Sequence, residues 1–139
     1  VPTHVVHGEA EKFDAMAASQ VALAASGTVA LELALAGVPM VIAYRLNPLS
    51  WAVVSRLVRV DHINMINLLL DRPVVSELLQ GACRGAALAG EVARLLEDEA
   101  LCDAQRTAAA EALAMLAPGQ ASPSERAADT VLELIGQGD

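Results

Sequence analysis

The residues of this chain best suited to chemistry lie between positions 26 and 45, SGTVALELALAGVPMVIAYR. Ser26 and Thr28 carry hydroxyls, and Gly27 between them lets a ligand approach the backbone. A hydroxyl-glycine turn that opens a helix is a natural anion site, because the first N–H groups of a helix have no partner within it. Glu32 follows Thr28 by about one helical turn, so the two share a face. A carboxylate there is placed to accept hydrogen bonds from the two hydroxyls of a ribose. The same residues also compose an ordinary helix start, in which Ser26 or Thr28 caps the backbone and Glu32 sits near the positive end of the dipole. Spacing leaves both readings open.

These residues need elements to hold them. Val21–Ala25 is a short apolar run of buried-strand length, and Val29–Ala36 is helical, closed by Gly37 where a C′ glycine belongs. Val38–Tyr44 then reads as a second buried strand, with Pro39 near its start, where a missing N–H does least harm. Strand, turn, helix and strand make one βαβ unit, and right-handed crossover makes the strands parallel. Ligands bind such sheets beyond the carboxyl ends of the strands. Arg45 sits at such an end, either as a partner for an anion or as a solvated arginine.

Upstream, Val1–His7 reads as the remainder of a strand, and Gly8 leads into a helix over Glu9–Ala18. Downstream, the pattern predicts a helix over Leu49–Val58 and a short strand, His62–Ile66, that ends at Asn67. Asn67 is then a turn residue or an amide facing a diphosphate or sugar. Arg72-Pro73 opens a predicted helix with Val74, Val75, Leu78 and Leu79 as its apolar stripe, and Glu77 is its first-turn acid or a neighbour of the ligand. From Ala86 to Leu116 helix formers dominate, with a break at Asp98-Glu99. Pro118–Pro123 makes a turn, and the last helix carries Ala127, Ala128, Val131, Leu132 and Ile135 on one stripe.

The stretch 26–45 resembles the SGT-x-x-LE-x-x-LAGVPMV-x-x-YR segment of lipid-A-disaccharide synthases, glycosyltransferases of the GT-B fold. Pro48-Leu49, Arg56-Leu57-Val58, Asn67-Leu68-Leu69 and Glu77-Leu78-Leu79-Gln80 recur in the same order as in that family. The likeness is collinear from about Val5 to the terminal helix. It departs at Ile66, where the family usually has proline, at Asp71, often glycine, and at Ser76, often proline.

The resemblance implies the C-terminal half of a GT-B enzyme: α/β, a Rossmann-like parallel sheet flanked by helices, with a helical C-terminus. Residues 1–139 are expected to form a single, N-terminally truncated nucleotide-sugar-binding domain, with βα units over 1–80 and a helical tail over 81–139. By resemblance the whole enzyme transfers 2,3-diacylglucosamine from its UDP conjugate to 2,3-diacylglucosamine 1-phosphate, forming a β-1,6 bond with inversion. UDP would then be held by Ser26, Gly27, Thr28, Glu32, Arg45 and Asn67, with Val6 and Gly8 at the uracil. No catalytic base is expected within these residues, and no cofactor or metal. The chain alone is expected to be inactive. The resemblance also implies a cytoplasmic protein in peripheral contact with the inner membrane. An unpaired sheet edge predicts a homodimer that exchanges elements. Other UDP-sugar enzymes of this shape, such as a MurG-like transferase or a UDP-N-acetylglucosamine 2-epimerase, share the helix-start acid, and a noncatalytic nucleotide-binding module is a further alternative.

Composition bounds these readings. The 139 residues are 55% hydrophobic with a formal net charge of −8, enough apolar content for one core and the wrong sign for a nucleic-acid surface. One Trp, one Tyr and one Phe do not supply a base-stacking platform. Apolar stretches are interrupted by Glu32, Gly37, Pro39 and Arg45, well short of the roughly 20 residues needed to span a bilayer. Cys83 and Cys102 have no partner motif and read as reduced thiols. His4 and His7 point to opposite faces of an extended segment, which argues against a shared ion.

Overall fold

The computed structural model describes residues 2–25, 28–47, 50–52, 62–116 and 123–136. Three parallel strands, β1 (Ala22–Ala24), β2 (Met40–Tyr44) and β3 (Ser76–Leu79), form a sheet in that order, with Ala22 opposite Met40 and Val41 opposite Ser76. Helices α1 (Glu9–Ala17) and α2 (Thr28–Leu35) precede β2, and α3 (Met65–Leu70) lies between β2 and β3. A 3-10 turn (Gln80–Ala82), α4 (Gly85–Glu97), α5 (Glu99–Leu116) and α6 (Pro123–Gly136) complete the chain. The α/β class with a parallel sheet and a helical C-terminus is therefore as the sequence predicts.

β2 is the centre. Met40, Val41 and Ile42 are 2%, 0% and 0% exposed, so the strand is covered on both faces. Side chains alternate along a strand. Met40 and Ile42 pack with Ala30, Leu33, Ile66, Ala109 and Ala112 on one face, and Val41 packs with Leu95 and Cys102 on the other. Helix α5 contributes to both clusters because it passes the amino-terminal end of the strands. There Met40 N–H donates to Gln105 Oε1 (2.9 Å) and Gln105 Nε2 donates to Met40 O (3.3 Å). Pro39 O accepts from Ala22 N–H on the β1 side, so the Met40 groups face β3, which begins only opposite Val41. The Gln105 amide stands in for the strand residue that β3 lacks, and neither backbone group of Met40 is orphaned.

The α2–β2 junction follows from glycine. Val38 N–H bonds Leu33 O (2.9 Å) and Gly37 N–H bonds Ala34 O (3.1 Å), the paired contacts of a Schellman turn, with Gly37 at φ +69°. Arg106 Nε donates to Gly37 O (3.2 Å), tying α5 to the same turn. The predicted break at Asp98 is present, since Asp98 Oδ1 accepts from Leu101 N–H (3.1 Å) and starts α5. Ser76 Oγ donates to Glu91 Oε2 (2.6 Å), which, aided by Arg94, holds the Glu91 carboxyl below the usual range.

Three predicted elements differ. Residues 2–7 form no strand; a strand needs a ladder, and none of the sheet's strands offers them one. Residues 62–66 do not form a strand either, because Asn64 Oδ1 accepts from Ile66 N–H (2.7 Å) and starts α3. Pro73 opens no helix. The free edge of β2 recruits Ser76–Leu79 as a strand instead, which overrides the helical spacing of Val74, Val75, Leu78 and Leu79. Of the helix predicted over Leu49–Val58, residues 50–52 are helical, and 53–58 lie outside the described residues. The turn predicted at Pro118–Pro123 also lies outside them, apart from Pro123 itself, the first residue of α6.

Asp71 ends α3 in the left-handed region, at φ +49°. An acid there is doubly unfavourable, through its Cβ and through its charge at the negative end of a helix. Asp71→Gly should therefore stabilise the fold by about 0.5–1 kcal/mol, whereas Gly37→Ala should cost about 1 kcal/mol. Thermal melts of the two variants should move in opposite directions by a few degrees.

Candidate functional site

α5 reaches the amino-terminal end of the sheet through Gln105, and ligands of parallel sheets bind at the opposite, carboxyl end. β1 ends at Ala24-Ala25, and α2 restarts the chain at Thr28, which is exposed. Ser26 and Gly27, the centre of the predicted anion turn, lie outside the described residues. Beside this turn a groove of about 480 Å³ is lined by Val6, Lys12, Met16, Ala25 and Val29, among others. Val6, predicted at the uracil, is half-buried in it. Gly8 is exposed and stands one turn before Lys12, at φ +102°, where it precedes the first residue of α1.

Glu32 is half-buried on α2 and is not turned into the apolar core. Lys12 Nζ donates to Glu32 Oε1 at 2.9 Å, the side chains 33% and 24% exposed, and so bridges α1 to α2. Among the described residues, Glu32 Oε2 accepts no hydrogen bond. Arg45 is exposed at the carboxyl end of β2, next to the end of β1. Sequence reasoning passed over Lys12; the one available signal was that it is the single lysine among nine cationic side chains.

Asn67, expected as a turn residue or an amide facing a diphosphate or sugar, has its side chain engaged within the protein. It is 1% exposed on α3. Its Oδ1 accepts from Val74 N–H (2.9 Å) and Val75 N–H (2.8 Å), and its Nδ2 donates to Val75 O and Glu77 Oε1 (both 2.8 Å). An amide has two donor hydrogens and two acceptor lone pairs, so all four capacities are used within the protein. Glu77 is neither a first-turn acid nor a ligand group in this arrangement. From β3 its two oxygens also accept from Ile63 N–H and Asn64 N–H, both at 2.9 Å.

Gln80 completes the pattern. With its amide oriented to satisfy both ends, it donates to Leu46 O (3.2 Å) and accepts from Leu46 N–H (2.9 Å). The Asn67 and Glu77–Gln80 motifs are thus the clamps that hold the segments leaving β2 and entering α3. Among the described residues no three His, Cys, Asp or Glu side chains converge as a metal site. No helix among them is long and apolar enough to cross a membrane.

Comparison with known proteins gives one answer. Residues 2–131 match the family model for lipid-A-disaccharide synthetase. The lipid-A-disaccharide synthase of Rhodospirillum centenum is 50% identical over 135 residues, 97% of this chain and 34% of the relative. That of Gluconobacter oxydans is 42% identical over 137 residues (99% and 33%), and that of Paramagnetospirillum magneticum 46% over 140 (99% and 36%). The chain spans about a third of the length of these curated relatives.

The Asn67 geometry makes a direct prediction. Asn67→Ala strands two buried N–H groups, a carbonyl and part of the Glu77 carboxylate, and should cost about 3 kcal/mol in urea unfolding with an unchanged slope. A variant as stable as the parent that loses only nucleotide affinity would return Asn67 to the ligand.

Proposed function

The chain belongs to the lipid-A-disaccharide synthetase family, and from that premise we propose that it forms the UDP-binding part of an inverting glycosyltransferase. The whole enzyme transfers 2,3-diacylglucosamine from UDP-2,3-diacylglucosamine to 2,3-diacylglucosamine 1-phosphate, with release of UDP, in lipid A biosynthesis. The observation that carries this reading is the half-buried Glu32 carboxylate on α2. One of its oxygens is anchored by Lys12, and the other accepts nothing among the described residues.

In this reading the diphosphate docks on the amide-rich start of α2, at Ser26, Gly27 and Thr28. The aligned peptide dipoles and the unpaired N–H groups stabilise the negative charge that grows on the leaving oxygen. Arg45 adds a full positive charge from the neighbouring strand end. Together these groups do the work that a divalent cation does in other nucleotide-sugar enzymes, so the proposal needs no metal. Glu32 Oε2 takes the ribose diol, and Val6 and Gly8 border the base. Asn67 acts through the scaffold, by fixing β3 against α3.

Inversion from an α-linked donor to a β product is a single displacement and needs a base near the acceptor hydroxyl. We assign that base to the part of the enzyme beyond these residues. Both substrates carry acyl chains that partition into lipid, so the reaction is placed at the cytoplasmic face of the inner membrane, reached by peripheral contact.

Calorimetric titration of the chain with UDP, UMP and ADP tests the reading. UDP should bind tightest, with about tenfold lost when the terminal phosphate is removed, since one charge-assisted contact is worth that much. ADP should be weaker than UDP. Equal binding of all three, or no binding of UDP, would refute it.

A further inference from the structure

Among the described residues, the groove at the carboxyl end of β1 is lined by one charged side chain, Lys12, with apolar and small neighbours that include Val6, Met16, Val29 and Leu33. The ammonium is fixed from two directions. It donates to Glu32 Oε1 at 2.9 Å, and it lies 4.7 Å from the centroid of the Phe13 ring. Every other cationic side chain of the protein is an arginine. The difference matters here. A guanidinium forks across both oxygens of a carboxylate, whereas an ammonium is a point charge that satisfies one and leaves the second open.

The ion pair is partly exposed, so its worth to stability as a bare surface contact is small. What it does decide is the direction of the carboxylate. A free glutamate has three rotatable bonds, and holding one oxygen removes most of that freedom before a ligand arrives.

We propose that Lys12 is a positioning residue that presents Glu32 Oε2 to the ribose diol and so sets the preference for ribonucleotides over 2′-deoxyribonucleotides. The inference rests on the reading that UDP binds with its ribose on Glu32. It adds a residue from α1, 20 positions upstream, to the elements that govern sugar recognition.

The test compares UDP with 2′-deoxy-UDP by calorimetry in the parent chain and in Lys12→Met, Lys12→Arg and Glu32→Gln. The parent should prefer UDP by about tenfold, the worth of one hydrogen bond to a charged group. Lys12→Met should weaken UDP binding by a similar factor, leave 2′-deoxy-UDP nearly unchanged, and so close the ratio. Lys12→Arg, which keeps the charge, should recover part of the preference. Lys12→Met combined with Glu32→Gln should bind UDP no worse than Glu32→Gln alone, because the lysine acts through the glutamate.

If Lys12→Met lowers the melting temperature and the ratio persists, the lysine only ties α1 to α2, and the inference is overturned. If the parent does not bind UDP, the site reading itself fails and takes the inference with it. If the parent and Glu32→Gln behave as the site requires while Lys12→Met keeps the parental ratio, the inference alone fails. A second measurement covers loss of folding in the variants. Acylation of the single lysine in the parent, read by peptide mapping with an added lysine-containing peptide as internal control, should slow when UDP is bound. An unchanged Lys12 rate at saturating UDP would contradict the proposal.

Discussion

The burial of β2 is the constraint on which the rest of this structure depends. A strand covered on both faces must send its polar backbone to partners at its sides and its ends, because water reaches neither. β1 and β3 take the sides. At the amino-terminal end the Gln105 amide closes the one place where β3 falls a residue short, and the helix that carries it blocks that end of the sheet. The carboxyl end is the one at which parallel sheets bind their ligands. The proposed position of the site agrees with how the core is sealed.

Two of the motifs shared with the family serve the scaffold, and the proposed ligand groups lie in a third, at 26–45. Asn67 and Glu77 form a buried junction in which one amide and one carboxylate satisfy five backbone groups and each other. Gln80 repeats the device at Leu46. Such residues resist substitution because removing one strands several buried partners at once. A polar residue at a strand end therefore has two explanations, and the donor and acceptor count decides between them. For Asn67 the count closes inside the protein. For Glu32, among the described residues, it does not.

Much of the fold was legible. The run Val21–Ala25, the helix after Thr28, Gly37 and the strand through Tyr44 follow from local patterns that agree with one another, and the structure keeps them within a few residues. The break between two helices at Asp98-Glu99 was legible too. The segments at 62–66 and 73–79 were not, because their decisive partners are distant or subtle. Val74 to Leu79 has helical spacing, yet the open edge of β2 claims it. His62 to Ile66 has strand-like composition, yet the side chain of Asn64 caps a helix. At the candidate site, the one-turn spacing of Glu32 from Thr28 on a single helix was legible. The pairing of Lys12 with Glu32 was invisible, since nothing local relates residues on two helices separated by a strand.

The central claim is that a diphosphate docks where α2 begins and that Glu32 holds the ribose. A crystal structure of the chain with UDP bound tests this most directly. The account predicts the diphosphate against the backbone just ahead of Thr28, with a ribose hydroxyl within hydrogen-bond distance of Glu32 Oε2 and Lys12 still on Oε1. UDP seated instead in the hollow lined by Gln20, Leu95, Cys102 and Arg106, or a Glu32 carboxylate that makes no contact with the sugar, would contradict it.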